Sequence, residues 1–281
     1  NEMTTHVFRF EYPRVLSIAG SDSGGGAGIQ ADLKTFSALG CYGMTAITAL
    51  TAQNTCGVRA IHGVPPQMLR DQIDAVVDDI GVNAVKIGML NTPEIVNTVA
   101  DAIDRHALTN VVFDPVMIAT SGAVLIDQAA MDVLVRELFP RVAVITPNLD
   151  EAALLVGHPL NSAEDMEEAA LALLAQGARA VLVKGGHLPG ETVIDLLVTN
   201  AGDKYWMKAP RIHSPNTHGT GCTLSSAMAA HLALGASLLD AVQGARAYVR
   251  DALQAGSQVR TGRGSGPLNH GHEPVAIQMN P

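Results

Sequence analysis

The segment His218-Gly219-Thr220-Gly221-Cys222-Thr223 stands just before a run of helical character, Ser226 to Leu234. Glycines on both sides of Thr220 let successive backbone amides turn toward one point. At a helix N-terminus such amides lack an intrahelical acceptor and the helix dipole adds to their positive potential, so the turn is an anion site. A transferring γ-phosphoryl group needs a fixed donor array of this kind, because positioning and charge stabilisation supply most of its catalysis. Gly219, Thr220 and Gly221 are therefore candidate catalytic residues. Cys222 falls in the first turn, where the helix terminus is expected to lower a thiol below its usual pKa of about 8.5. A thiolate there can take the proton of an alcohol substrate. The competing reading of a lone cysteine is a small buried hydrophobe.

A second glycine-rich stretch, Gly20-Ser21-Asp22-Ser23-Gly24-Gly25-Gly26-Ala27-Gly28, opens a helix near Ile29. Gly26, Gly28 and Ala31 fit a dinucleotide fingerprint, but the acidic residue that fingerprint wants about 20 positions on is missing. No Gly-Lys-Ser/Thr follows any glycine run, so the phosphate loop of the Walker type is also absent. The stretch reads as a substrate-site loop, with Asp32 and Gln53 in the same half of the chain, or as a turn needed only for tight strand–helix packing. Gln53 ends a largely apolar segment, and its amide can donate and accept at once, which suits a heteroaromatic ring bearing an amine beside a ring nitrogen.

Three further positions follow apolar runs. Asp114, before Pro115, offers a carboxylate that can hold magnesium directly or through water, or it forms an Asp-Pro turn. In Thr146-Pro147-Asn148-Leu149-Asp150-Glu151, Asn148 and Glu151 have capping-box spacing. A helix start of that kind also faces the ligand edge of a sheet. Lys184-Gly185-Gly186 suits contact with a phosphate, or Lys184 extends along apolar surface to solvent.

The elements that position these residues are short and regular. Arg14–Ala19, Ala84–Ile87, Asn110–Phe113, Val142–Ile145 and Ala180–Val183 are continuous apolar runs, the pattern of strands buried on both faces. Segments of helical period lie between them: Pro66–Ile80, Thr92–Ala107, Gln128–Phe139 and Ala163–Gln176. Alternation at this spacing predicts right-handed βαβ units around a mainly parallel sheet. Ligands of such a sheet sit beyond the carboxyl ends of its strands. Residues 14–268 read as a single domain, with residues 1–13 an extension and residues 269–281 a tail, both ends expected to be poorly ordered.

Of the 281 residues, 47% are hydrophobic and 16% charged, enough apolar matter for a buried sheet. The net charge of −9 argues against a nucleic-acid surface. Cys41, Cys56 and Cys222 form no CxxC pair, so neither a disulfide framework nor a zinc site is expected. No apolar run is long enough to span a bilayer, and residues 1–13 lack the apolar stretch of a signal peptide. The expected location is the cytoplasm.

Taken together and in order, these stretches resemble the hydroxymethylpyrimidine and phosphomethylpyrimidine kinases of thiamin biosynthesis. Those enzymes belong to the ribokinase-like superfamily, beside the pyridoxal kinases. The resemblance spans about Val15 to Pro267. It rests on Ile18–Thr35, Ala49–Thr55, Lys86–Leu90, Asp114–Met117, Thr146–Asn148, Val183–His187 and His218–Thr223. It implies a ribokinase-like α/β fold, a dimer, and two successive ATP-dependent phosphorylations. The first falls on the hydroxymethyl group of 4-amino-5-hydroxymethyl-2-methylpyrimidine and the second on the resulting monophosphate. It implies that Gln53 reads the pyrimidine, with Gly20, Asp32 and Met89 elsewhere in the same pocket. Gly219 and Gly221 would form the anion hole and Cys222 would occupy the base position. Lys184 and Asn148 would lie on the ATP side, and Asp114 and Glu151 would organise Mg2+. Ser23-Gly24 departs from the family, whose members often carry Pro-Ser there. The alternatives are a pyridoxal kinase of the same fold and a non-catalytic ligand sensor.

Overall fold

The computed structural model describes residues 8–118 and 126–281. The chain runs β1 (Arg14–Asp22), α1 (Gly28–Ala38), β2 (Tyr42–Asn54), β3 (Gly57–Gly63), α2 (Pro66–Asp79), β4 (Ala84–Ile87), α3 (Pro93–Arg105) and β5 (Val111–Phe113). It continues through α4 (Gln128–Leu138), β6 (Val144–Ile145), α5 (Leu149–Val156), α6 (Ala163–Ala175), β7 (Ala180–Lys184), β8 (Thr192–Thr199), β9 (Lys204–Pro210), α7 (Thr220–Ala233) and α8 (Leu238–Gly256). All five expected strands and the four helices expected between them are present, within a few residues at their ends, as are the helices expected near Ile29 and at Ser226–Leu234.

The strands form one nine-stranded sheet in the order β3-β2-β1-β4-β5-β6-β7-β8-β9. Neighbours from β2 to β7 pair in parallel. β3, β8 and β9 add antiparallel edges. The sequence reading named none of these edge strands. β3 is exposed along its whole length, and β9 alternates between exposed and buried residues, so neither shows the continuous apolar run of a central strand.

Helices cover both faces. Leu69, Ile73, Ile95, Val99, Leu134, Leu138, Met166 and Leu173 of α2, α3, α4 and α6 form one core with Ile18, Ile87 and Ile145 of the sheet. Phe36, Leu224, Met228, Val242 and Val249 of α1, α7 and α8 form the other, against Val15, Val112 and Leu182. Alternate residues of each parallel strand therefore serve opposite cores, which is why these strands read as continuous apolar runs. The order in which strands are added reverses between β1 and β4, since β1 leads outward to β2 while β4 lies on its other side. That is the topological switch point, where a crevice opens beyond the strand ends.

The chain's end is not loose. His270 is buried, and the amides of Val275 and Gln278 donate to the carbonyls of Ala38 and Gly40. Glu11 and Asn280 bond to each other through both amides, at 2.8 and 2.7 Å. The expectation of a poorly ordered tail fails because this segment finds backbone partners at the end of α1; at the front of the chain the same expectation falls partly on residues 1–7, outside the described residues.

Candidate active site

α7 starts at a left-handed Gly219, with φ 85°, and has no side-chain cap. A side chain at this position would meet the Gly26 carbonyl, since a Cβ built on Gly219 lies 1.9 Å from that oxygen. The turn thus needs glycine both for its dihedral and for the close approach of the first glycine-rich loop. The Thr220 amide donates to the Thr217 carbonyl at 3.2 Å, and with no capping side chain the next amides of the first turn are left to face a ligand.

Beneath the turn lies a charged cluster. Lys184 ends β7 and places Nζ 3.0 Å from Asp114 Oδ1, and Thr146 donates to the same oxygen at 3.0 Å. A Cβ on Gly221 would stand 3.3 Å from Lys184 Nζ and 3.6 Å from Asp114 Oδ2. Burial alone would lower the Lys184 pKa, but the carboxylates of Asp114 and Glu151 outweigh it and hold the ammonium charged. Asn148 caps α5, its Oδ1 accepting from the Glu151 amide while Glu151 Oε2 accepts from the Asn148 amide, both at 2.9 Å. Burial pushes the Glu151 carboxyl up to about 7, Lys184 pulling it back and Asp114 pushing it further.

These two buried carboxylates are the residues that could hold a magnesium ion. Among the described residues no group of three or more His, Cys, Asp or Glu side chains gathers as a metal cage. Mg2+ rarely uses one; it takes one or two carboxylates, waters and substrate phosphates. Asp114 and Glu151, an all-oxygen pair beside an anion turn, fit that donor set.

Asn148, Lys184, Gly219, Thr220 and Gly221 line a cleft of about 550 Å³. Its far wall is apolar, made by Val193, Ala209, Ile212, Leu224, Val249 and Leu253. The sequence reading missed this wall because aliphatic residues on edge strands and a surface helix carry no chemical signal. It also missed Arg211, whose guanidinium donates to the carbonyls of Gly186, Leu188 and Gly190 and shapes the loop after β7. Asp195 was missed as well; it accepts from the Gly185 amide at 3.0 Å and pairs with Arg246 at 2.7 Å.

The expected pyrimidine-side residues do not line that cleft. Gly20 and Met89 meet at the ends of β1 and β4, a Cβ on Gly20 lying 3.7 Å from Met89 Cε. Gln53 is half-buried at the end of β2, its Oε1 accepting from Thr51 at 3.2 Å. Asp32 requires correction. It is fully buried, with Lys86 Nζ 2.9 Å from both its oxygens and with Ser17 and Ser226 donating to it. A carboxylate so occupied joins β1, β4, α1 and α7 beneath the site and has no oxygen left for a ligand.

The expectation for Cys222 also changes. The thiol is half-buried, and its pKa is raised. Burial is the main cause; Lys86 and the Gly28 amide oppose it, while Asp32 and Asp114 add to it. The helix terminus does not prevail because burial disfavours the charged thiolate more than the nearby amide and ammonium favour it.

The sequence profile of the family described as phosphomethylpyrimidine kinase matches residues 22–269. A Rhizobium meliloti hydroxymethylpyrimidine/phosphomethylpyrimidine kinase is 51% identical over 259 residues, 92% of this chain and 96% of that one. The thiamine biosynthesis bifunctional protein ThiED of Geobacter sulfurreducens is 50% identical, over 93% of this chain and 53% of its own length. Among solved structures, the Bacillus subtilis pyridoxal kinase in complex with ADP superposes with a TM-score of 0.84 at 38% identity, covering 92% of this chain and 96% of that one. With a ribokinase-like sheet, an anion turn at α7 and a profile match across nearly all of its length, this chain belongs to the hydroxymethylpyrimidine/phosphomethylpyrimidine kinase family.

Proposed function

We infer that this chain phosphorylates 4-amino-5-hydroxymethyl-2-methylpyrimidine with ATP, and then phosphorylates the monophosphate to the diphosphate, in thiamin biosynthesis. The observation that carries this reading is the uncapped, glycine-built start of α7, one residue from a thiol and directly above the Lys184–Asp114 pair. ATP occupies the cleft, its base against the apolar wall and its γ-phosphoryl group on the amides of Gly221 and Cys222. Asn148 and Lys184 flank the phosphates. Asp114 and Glu151 would hold a magnesium ion, which would supply positive charge to the phosphate oxygens. The bond from the substrate oxygen to phosphorus forms as that from phosphorus to the leaving ADP oxygen breaks. Cys222 takes the hydroxyl proton in the first phosphorylation. Gln53 reads the aminopyrimidine edge, with Gly20 and Met89 as the adjoining wall.

The relatives support the pyrimidine over pyridoxal: the curated relatives named above are pyrimidine kinases at 50% and 51% identity, against 38% for the pyridoxal kinase structure. ADP release with the pyrimidine alcohol, its monophosphate and pyridoxal tests the reading. A higher kcat/KM for pyridoxal would overturn the substrate assignment, and binding without ADP release on all three would favour a sensor.

A homodimer is part of the same reading. β3 is an unpaired sheet edge, with Val58 and Ile61 beside Leu50 of β2 exposed at 49%, 53% and 48%. Proteins seldom leave such an edge uncovered. Light scattering after size exclusion gives the mass directly. No helix among the described residues is long and apolar enough to cross a membrane, and we place the enzyme with its ATP supply in the cytoplasm.

A further inference from the structure

Two adjacent residues of the first glycine-rich loop reach in opposite directions. The β1–β2 ladder ends at the pair Asp22–Thr51. Beyond it the Ser23 hydroxyl substitutes for the missing strand, donating to the Gln53 carbonyl at 2.7 Å and accepting from the Gln53 amide at 2.8 Å. Gly24 packs on the same strand end, where a Cβ would lie 3.1 Å from Asn54 Cα and 3.2 Å from the Gln53 carbonyl.

On the other side, Asp22 is buried and turned toward α7. It accepts from the amides of Gly24, Gly26 and Ala27 at 2.8, 3.1 and 2.9 Å. Its fourth partner is His218 Nε2, 3.0 Å away and 196 residues along the chain. His218 immediately precedes Gly219 of the anion turn and lies on Gly26, where a Cβ would be 2.6 Å from its Cδ2. An unbroken line therefore runs from Gln53 through Ser23 and Asp22 to His218 and the start of α7.

We propose that Ser23 and the Asp22–His218 pair are positioning residues that couple ring recognition at Gln53 to the placement of the phosphoryl-holding turn. The coupling rests on the roles inferred above for Gln53 and the turn. A ring drawn against Gln53 fixes the loop through Ser23, and the loop fixes the anion turn through Asp22 and His218. Neither Ser23 nor His218 need touch a substrate.

The test is a double-mutant cycle in the intact protein, using Ser23→Ala, His218→Ala and the pair, with steady-state kinetics in both substrates. Ser23→Ala is expected to raise the KM of the pyrimidine alcohol about threefold to tenfold, the scale of losing one or two hydrogen bonds, with the ATP KM within about twofold. Ser23→Thr keeps the hydroxyl and is expected to restore wild-type values. His218→Ala is expected to lower kcat about tenfold or more. Because the two act through one loop, the double variant should lose less than the product of the single losses, by about threefold or more. If His218→Ala does not fold, His218→Asn, which is too short to reach Asp22, takes its place. Wild-type kinetics in Ser23→Ala, failure of Ser23→Thr to restore them, equal KM rises for both substrates, or strictly multiplicative losses would each overturn the coupling. If wild type prefers pyridoxal, the substrate assignment falls, and the same cycle run with pyridoxal still decides the coupling.

Discussion

Lys184 and Asp114 meet at 3.0 Å directly below Gly221, so the ammonium that faces the phosphate cleft is also the counter-charge of a buried carboxylate. The two roles can be separated. Lys184→Met leaves Asp114, 2% exposed, without its partner. Breaking a buried pair costs about 3–5 kcal/mol, and the partial exposure of Lys184, 14%, places the loss at or below the low end. Turnover should fall about 100-fold, the scale of removing one preorganised electrostatic donor. In Lys184→Met with Asp114→Asn, the melting temperature should recover while turnover does not. Recovery of both would mean that the lysine serves stability alone.

Cys222 gives a prediction that distinguishes the two phosphorylations. An alcohol must lose a proton on attack, whereas a phosphomonoester with a second pKa of about 6 is already anionic at neutral pH. Cys222→Ala should therefore lower kcat for the alcohol about 100-fold or more and slow the monophosphate much less. Burial raises the thiol's pKa, so a base that must be deprotonated works better as pH increases. The alcohol reaction should keep rising above pH 8.5, and Cys222→Ala should flatten that limb. Equal losses in both phosphorylations would remove the thiol from proton transfer.

The contrast between Cys222 and Asp32 shows how far sequence carries here. The turn that starts α7 was legible because Gly219 carries its requirement in the backbone, at φ 85°, and Gly221 admits the close approach of Lys184. The central strands were legible because residues such as Val15 and Leu16 serve opposite cores. Asp32 was placed in the pocket, yet its carboxylate is consumed by Lys86, Ser17 and Ser226. Those partners lie 54, 15 and 194 residues away, and no local pattern announces such a convergence. The same holds for the thiol, whose pKa is raised mainly by burial among elements distant in the chain. The apolar wall at Val193, Ala209 and Leu253 exists only once β8, β9 and α8 have come together.

Gln53 should act on one substrate only. Its backbone is held by Ser23 and its Oε1 accepts from Thr51 at 3.2 Å, which leaves its amide N–H groups to face a ring. Gln53→Ala is expected to raise the KM of the pyrimidine about tenfold to a hundredfold, since a site built to hydrogen-bond a polar edge discriminates steeply when that contact is lost. The ATP KM should change little. Steady-state kinetics with each substrate varied in turn supply the comparison, and equal rises would take Gln53 out of ring recognition.

His270 ties the chain's end to the helix that carries the anion turn. Its Nε2 lies 2.9 Å from Thr223 Oγ1, and its carbonyl accepts from the Tyr248 hydroxyl at 2.6 Å. Burial drives its pKa down to about 4, with Lys34 adding to the shift. The folded protein therefore holds His270 neutral, while the unfolded chain binds a proton below about 6.5. Between those values the unfolded state carries more protons, so stability increases with pH. The contribution is fully present above about pH 6.5 and is lost as pH falls toward 4, with an upper bound of about 3 kcal/mol. Thermal melts from pH 4 to 7 should show this decline, and His270→Asn should have a shallower one at a lower plateau. An identical slope in the variant would assign the acid sensitivity to other groups.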